Sequence, residues 1–286
     1  MYKKLKPYLM LLPVMVVMSV FILGLISAVL QSFGYIPVFG MSEITLRHYI
    51  NILESRSFLR ALGFGIYISF ASSGISVFIG TYVAYLIYRN KKETLWVRTL
   101  YKIPIAVPHA IAALLVFIIL TQSGVLSRIF YNLGLIDNLM EFPELIFDRG
   151  GIGIIIAYTW KGIPFIMMIT LGILKKIDAR LVDTALNLGA SKKEAWWQVE
   201  FPMILPTVLT GFILLFAFSF GAFEVPFLIG PSAPRALPVV AYIQYTSIDL
   251  SLRPQAMVIN VIISTISLML VYVYILAFRS IKKYFG

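Results

Sequence analysis

The chain has 286 residues, of which 60% are hydrophobic and 13% are charged, and its mean hydropathy is +0.90. Soluble globular proteins carry about 25% charged residues. This composition therefore excludes an ordinary soluble domain and predicts an all-α membrane protein. The net charge of +11 is attributed to the positive-inside bias and not to nucleic-acid binding, because the basic residues fall in alternate loops. The absence of cysteine excludes disulfides and thiolate metal sites, and two histidines are too few for a histidine-based metal cluster.

Six apolar stretches are long enough to cross a membrane, which takes about 20 residues. They are 8–30, 62–88, 103–121, 152–174, 203–230 and 256–278. The first is too long for the hydrophobic part of a signal peptide, so we expect it to be a retained helix. Pro104, Pro108 and Pro164 are expected to kink the third and fourth spans.

The distribution of lysine and arginine predicts the orientation of these spans. Sixteen of the 24 basic residues lie at the two ends of the chain and in the loops after spans two and four, against seven in the other loops. Both termini are therefore predicted to be cytoplasmic. The external loops, 31–61 and 122–151, could each carry a surface helix. The acidic second loop is either a solvated connection or a docking place for a soluble partner.

The loop 175–206 contains two helix signals. Asp178 can cap a short helix over 179–188, and Gly189 stands where a left-handed residue would end it. Ser191 and Glu194 form the S-x-x-E capping box of a second helix that leads toward span five. Three apolar residues of the first helix share one face: Leu181, Ala185 and Leu188. Two interpretations are open, a helix pair lying on lipid headgroups and a knob that inserts into another protein.

The spacing within this loop resembles the EAA loop of ABC importer permeases. The family pattern is E-A-A, three residues, G, nine residues, and I-x-L-P. This chain has DTA at 183–185, Gly189, and VEFP at 199–202, so the spacing matches while four positions carry substitutions. The match lies in a predicted cytoplasmic loop between spans four and five, where the family has it.

The resemblance implies a type I ABC importer permease fold. Residues 1–60 would be a first transmembrane helix with its external loop, and 61–280 the permease domain with a coupling loop at 178–202. That loop would seat in a partner ATPase, and its implied contact residues are Asp183, Thr184, Ala185, Leu188, Gly189, Ala190 and Pro202. Other implied partners are a second permease subunit, identical or different, an external substrate-binding protein and membrane lipids, in a bacterial cytoplasmic membrane.

The chain has no G-x-x-x-x-G-K-[ST] phosphate loop. We therefore expect no cofactor in this chain, which would not itself be an enzyme. ATP and Mg²⁺ would bind to the partner ATPase.

Two charges interrupt the apolar spans, Lys161 in span four and Glu224 in span five. Each costs about 2.5–3.5 kcal/mol on insertion scales, so each should face a cavity or a partner. They could pair with each other, or line the substrate path together with Trp160 and Phe220. A kink is predicted beside Glu224, where Gly221 and Pro226 weaken the helix. His109 is interpreted as a helix-packing residue in preference to a proton relay.

The stretch 221–242 resembles permeases for polyamines, ferric iron, thiamine, sulfate and aminophosphonates. Glu224 favours a cationic solute and Lys161 an anion. The expected substrate is a small polar solute such as a polyamine. An ion-gradient-driven secondary transporter is the alternative, although no internal repeat is evident. An intramembrane enzyme is disfavoured, because the spans lack H-E-x-x-H and G-x-S-x-G motifs.

Overall fold

The structure is a computed structural model that describes residues 2–90 and 93–285, with side chains described for 10–90 and 93–276. Lys91 and Lys92, which contributed to the predicted orientation, lie outside the described residues. The helices are α1 Tyr2–Ser32, α2 Arg47–Glu54, α3 Arg56–Asn90, α4 Leu95–Ala106, α5 His109–Leu120, α6 Val125–Asn132, α7 Ile152–Leu174, α8 Ala179–Asn187, α9 Lys192–Ala195, α10 Phe201–Gly221, α11 Glu224–Ile229, α12 Leu237–Tyr245 and α13 Arg253–Phe285.

Within these described ranges, six helical segments are long and apolar enough to span a membrane, which confirms the predicted number. They are Met10–Ser32, Arg56–Asn90, His109–Asn132, Ile152–Leu174, Lys192–Gly221 and Leu250–Leu276. The fourth coincides with its prediction.

The third and fifth predicted spans were wrong in their bounds. The predicted third span is divided between α4 and α5, because Val107 is extended before Pro108. Pro104 lies inside α4, and Pro164 lies inside α7, and both helices continue past these prolines. The predicted fifth span ends at Gly221 and not at residue 230. Ala222 is extended there, and this confirms the predicted break beside Glu224.

The chain divides into two compact units. One comprises Met1–Leu59 and Leu237–Thr265, and the other comprises Arg60–Ala236 and Ile266–Gly286. In the first unit, Ser32 Oγ and Tyr49 Oη are hydrogen-bonded at 2.7 Å, and the guanidinium of Arg253 lies 4.7 Å from the ring centroid of Phe39.

The second unit is organised around α7, which packs against α4, α5, α10 and α11. Small residues allow close approach of its helices: a Cβ on Gly80 would lie 2.7 Å from the carbonyl oxygen of Ile163. Membrane helices, which lack a strong hydrophobic drive to associate, commonly pack through such small residues. One buried apolar cluster joins α3, α7 and α10: Ala84, Met167, Leu171, Leu174, Ile177, Ile204 and Val208. The loop between α7 and α10 rests on this cluster.

Candidate functional site

The first helix of the loop, α8, begins and ends as the sequence predicts. Asp178 caps it by accepting a hydrogen bond from Arg180 N at 3.0 Å. At the other end Gly189 has a φ of +92° and its N–H bonds to Leu186, while Ala190 N bonds to Ala185 O at 3.1 Å. This pair of bonds is the Schellman arrangement, which closes a helix with a sharp turn.

The second helix signal is also confirmed. Glu194 N donates to Ser191 Oγ at 3.3 Å, and Ser191 N donates to Glu194 Oε2 at 2.7 Å, so both halves of the capping box form. The chain then passes through a π-helical segment, Trp196–Glu200, into α10. Trp196 packs on Tyr85 with 4.2 Å between ring centroids, which attaches this segment to α3.

The predicted apolar face of α8 points outward. Leu188 is 84% exposed and Leu181 is also exposed, whereas Val182, about 100° further round the helix from Leu181, is buried. Asp183 and Thr184 are exposed as well, and Ala185, Ala190 and Pro202 are half-buried. Thr184, Leu188 and Gly189 therefore form one accessible surface with Leu181, which is called the coupling surface below. Asp183 instead lines a cavity on the other face of α8.

An ion-pair network holds the loop against the connection between spans two and three. Lys175 pairs with Glu93, and Glu93 also accepts from Tyr101 Oη at 3.0 Å and lies 3.4 Å from Arg98. The hydrogen bond from Lys175 is the main reason that the pKa of Glu93 lies below its ordinary value, despite an opposing effect of burial. Sequence reasoning missed this network, since Lys175 lies 82 residues from Glu93 in the chain.

Lys161 makes its contacts with backbone. Its ammonium donates to the carbonyl oxygens of Pro104, at 3.0 Å, and Val107. In a continuous helix the carbonyl of Pro104 would accept from the N–H of residue 108, which is absent because residue 108 is proline. Lys161 thus satisfies the exposed C-terminal end of α4, where a positive charge is favoured.

Lys161 also belongs to a polar cluster with His109, Tyr158 and Glu224, the last being close enough to interact electrostatically with the other three. Tyr158 is 4% exposed, and its hydroxyl has no partner. A cavity of about 270 Å³ is lined by Lys161, His109, Tyr158 and apolar residues of α10. The described side chains include no ion pair between Lys161 and Glu224.

The other two predicted path residues lie elsewhere in this unit. Trp160 lines a different cavity, of about 350 Å³, with residues of α3 and α4. Phe220 is 2% exposed and stacks on Phe216, with 5.9 Å between ring centroids. The structure therefore brings Lys161 and Glu224 into one cluster and does not bring Trp160 or Phe220 into it.

Comparison with known proteins identifies the family. The family described as "Binding-protein-dependent transport system inner membrane component" matches residues 76–280. This range covers most of the chain, and the protein belongs to that family. It is thus a permease component of an ABC importer and not itself an enzyme.

Relatives named for different solutes resemble the chain at similar levels. A probable sulfate transport system permease of Prototheca wickerhamii is 24% identical over 242 residues, covering 83% of this chain and 91% of the relative. A similar permease of Chlorokybus atmophyticus is 25% identical, with coverage of 69% of this chain and 66% of the relative. The trehalose/maltose permease MalF of Thermococcus litoralis is 26% identical, covering 95% and 94%.

Solved structures agree on the fold. A chain of a bacterial ABC transporter that imports the acidic polysaccharide alginate matches with a TM-score of 0.78 and 18% identity, covering 98% of each chain. A chain of the MetNI methionine ABC transporter matches with a TM-score of 0.54 and 15% identity, covering 79% of this chain and 99% of that chain. The chain therefore has the type I ABC importer permease fold that the loop spacing implied.

Proposed function

We propose that this permease subunit is coupled to a separate ATPase through loop 178–202 and that the ATPase binds ATP and Mg²⁺. The working importer would also contain a second permease subunit and an external substrate-binding protein, in a cytoplasmic membrane with both termini of this chain inside. The family, whose description includes both a binding protein and a transport system, supports this assembly.

The proposed contact with the ATPase is supported mainly by the exposed coupling surface. Leu188 projects from a corner stabilised by two backbone hydrogen bonds, next to a complete capping box, so an apolar side chain is held rigidly outside the buried core. An anchored apolar side chain of this kind contributes most to an interface when it fills a partner's pocket. An interfacial position on lipid headgroups is the competing interpretation.

The test is co-purification of the ATPase with Leu188→Asp. A charge in a fully desolvated pocket should lower the ATPase-to-permease ratio by roughly tenfold or more, since anchor residues contribute about 2 kcal/mol or more. The matched control is Ile248→Asp, because Ile248 is an apolar residue at 99% exposure outside the coupling surface. Unchanged ATPase binding by Leu188→Asp, or transport by the isolated chain under an ion gradient alone, would contradict the proposal.

For the solute, we infer a path that passes the polar cluster of His109, Tyr158, Lys161 and Glu224. Ionisable groups within membrane spans generally mark solute pathways or pair with one another. Lys161 lies within span four and forms no ion pair with Glu224, which lies in α11 just beyond the end of span five. The comparisons do not support a polyamine, since the relatives are named for sulfate, molybdenum and trehalose/maltose transport. A small polar solute remains the substrate class, with sulfate, molybdate and maltose as the first solutes to assay.

Glu224→Gln tests the path, because Glu224 is exposed and its replacement should leave the packing intact. Loss of a charged contact should change the KM for the transported solute by roughly tenfold, with little change in thermal stability. Glu54→Gln, at an exposed position at the end of α2, is the control and should transport normally. Identical KM values for Glu224→Gln and the wild type would remove Glu224 from the path.

A further inference from the structure

A cavity of about 670 Å³ lies between the coupling helix α8 and the end of α3. Its wall on one side is formed by the inner face of α8, including Val182 and Leu186, and on the other by Tyr88 and Arg89 in the last turn of α3. The π-helical segment Trp196–Glu200 contributes Glu200. Movement of α8 toward α3 would therefore close this cavity.

Glu200 is unusual among the residues that line this cavity. Its side chain is 1% exposed, and its Oε2 atom is buried without a hydrogen-bond partner. A buried carboxylate is stable only with a cation or hydrogen-bond donors beside it. The Oε2 atom of Glu200 can therefore accept a further hydrogen bond in this conformation of the protein.

Arg89 is the cation that fits. It lines the same cavity, interacts electrostatically with Glu200, and makes no ion pair with it in the structure. Of the other two cations in the cavity lining, Lys175 is held by Glu93, and Lys192 is exposed and belongs to the same loop as Glu200. A guanidinium can also bind a carboxylate through two parallel hydrogen bonds.

We propose that Arg89 and Glu200 form a latch, in which the guanidinium binds the buried carboxylate when the coupling helix is pressed against the end of α3. The latch would make closure of the cavity favourable, because the attraction strengthens as water leaves. It would link the ATPase contact to span two directly. The π-helical segment is suited to this motion, since such segments interrupt regular helix bonding and are frequent at functional sites. This inference rests on the ATPase coupling proposed above.

The first test is a mutant cycle on ATP hydrolysis by the purified complex of permease and ATPase. Arg89→Gln and Glu200→Gln should each lower the rate by roughly tenfold, and the double variant should be no slower than either, because both remove the same contact. The exchange variant with Arg89→Glu and Glu200→Arg should recover activity. Lys102→Gln is the control, because Lys102 lies on an exposed position of α4 outside the coupling loop, and it should behave as the wild type. Additive losses in the double variant would overturn the latch.

A second test does not depend on the activity of the variants. The chain contains no cysteine, so the pair Arg89→Cys and Glu200→Cys can be the only cysteines in the permease. A disulfide needs Cα atoms within about 7 Å, and it should form much faster with ATP and vanadate than with ADP. The controls are Arg89→Cys alone and Glu200→Cys alone, which should give no disulfide within the permease chain in either state.

The outcomes separate the latch from the coupling itself. Equal disulfide rates for the latch pair in both nucleotide states, in a complex that retains its ATPase, would overturn the latch and leave the proposed function standing. Failure of the ATPase to co-purify with the wild-type chain would overturn both.

Discussion

Replacement of Lys161 by methionine tests whether this lysine supports the broken helix beside it. Its ammonium donates to Pro104 O and Val107 O, at the end of α4 where Pro108 supplies no N–H. Methionine keeps the apolar stem and removes both bonds. A hydrogen bond to a charged group contributes about 1.5–3 kcal/mol, and partial exposure of Lys161 reduces this, so we expect a net loss of about 3 kcal/mol.

Such a loss should lower the thermal unfolding midpoint in detergent by roughly 5–10 °C for a chain of this size. Lys102→Met is the control, because Lys102 lies on an exposed position of α4, and its removal should change stability by about 0.5 kcal/mol or less. A midpoint for Lys161→Met within about 2 °C of the wild type would refute the reasoning.

A second substitution gives an independent check. Pro108→Ala restores the N–H at residue 108 and relieves the restriction on Val107, so the carbonyl of Pro104 can be bonded within the helix. In the Lys161→Met background it should therefore recover part of the lost stability. Further destabilisation by Pro108→Ala in that background would show that the break itself, and not the unsatisfied carbonyls, is what the fold requires.

Three further predictions concern packing, the glycine corner and pH. Gly80→Ala should lower the free energy of unfolding by about 1–3 kcal/mol, and with it the unfolding midpoint, because the added Cβ would lie 2.7 Å from a carbonyl oxygen of α7. The control is Gly74→Ala, whose Cβ would meet nothing within 4 Å, so its midpoint should not change. In Gly189→Ala the added Cβ would also meet no atom, so the loss of stability, about 1 kcal/mol, should come only from the left-handed backbone with its φ of +92°. The loss should be detected as faster amide exchange at the end of α8, and Gly189→Asn should lose less stability, because asparagine adopts this conformation more readily. The lowered pKa of Glu93 means that its pairing with Lys175 stabilises the fold above the unfolded pKa and is lost as the pH falls through the folded value. The midpoint should therefore fall below about pH 4.3, and Glu93→Gln should flatten that part of the profile.

The parts of the fold that the sequence predicted are local. A spanning helix is encoded by a run of about 20 apolar residues, and a capping box by two residues three apart. Six spans among the described residues, and the Ser191–Glu194 box, accordingly appear as expected. The helix bounds failed at Val107 and Ala222, where apolar composition continues across an extended residue.

The coupling surface was predicted more fully than the solute path. Its residues lie within one short loop, so their spacing could be compared with a family pattern. The polar cluster instead draws His109, Tyr158 and Glu224 from separate helices, and nothing in the order of residues indicates that Phe220 packs inward while Glu224 is exposed.

The sequence by itself determined that this chain is a six-span permease with a capped coupling helix, because apolar length and short-range hydrogen bonding depend on neighbouring residues. Only the tertiary structure decided what the isolated charges do. Lys161 donates a hydrogen bond to the carbonyl oxygen of Pro104, 57 residues away in the chain. Glu200 lies buried near Arg89 but forms no ion pair with it. The hydrogen-bonding partner of such a charge depends on which helices pack together in the fold. A charge within an apolar stretch therefore shows that a partner is needed, but the sequence does not show which residue it is.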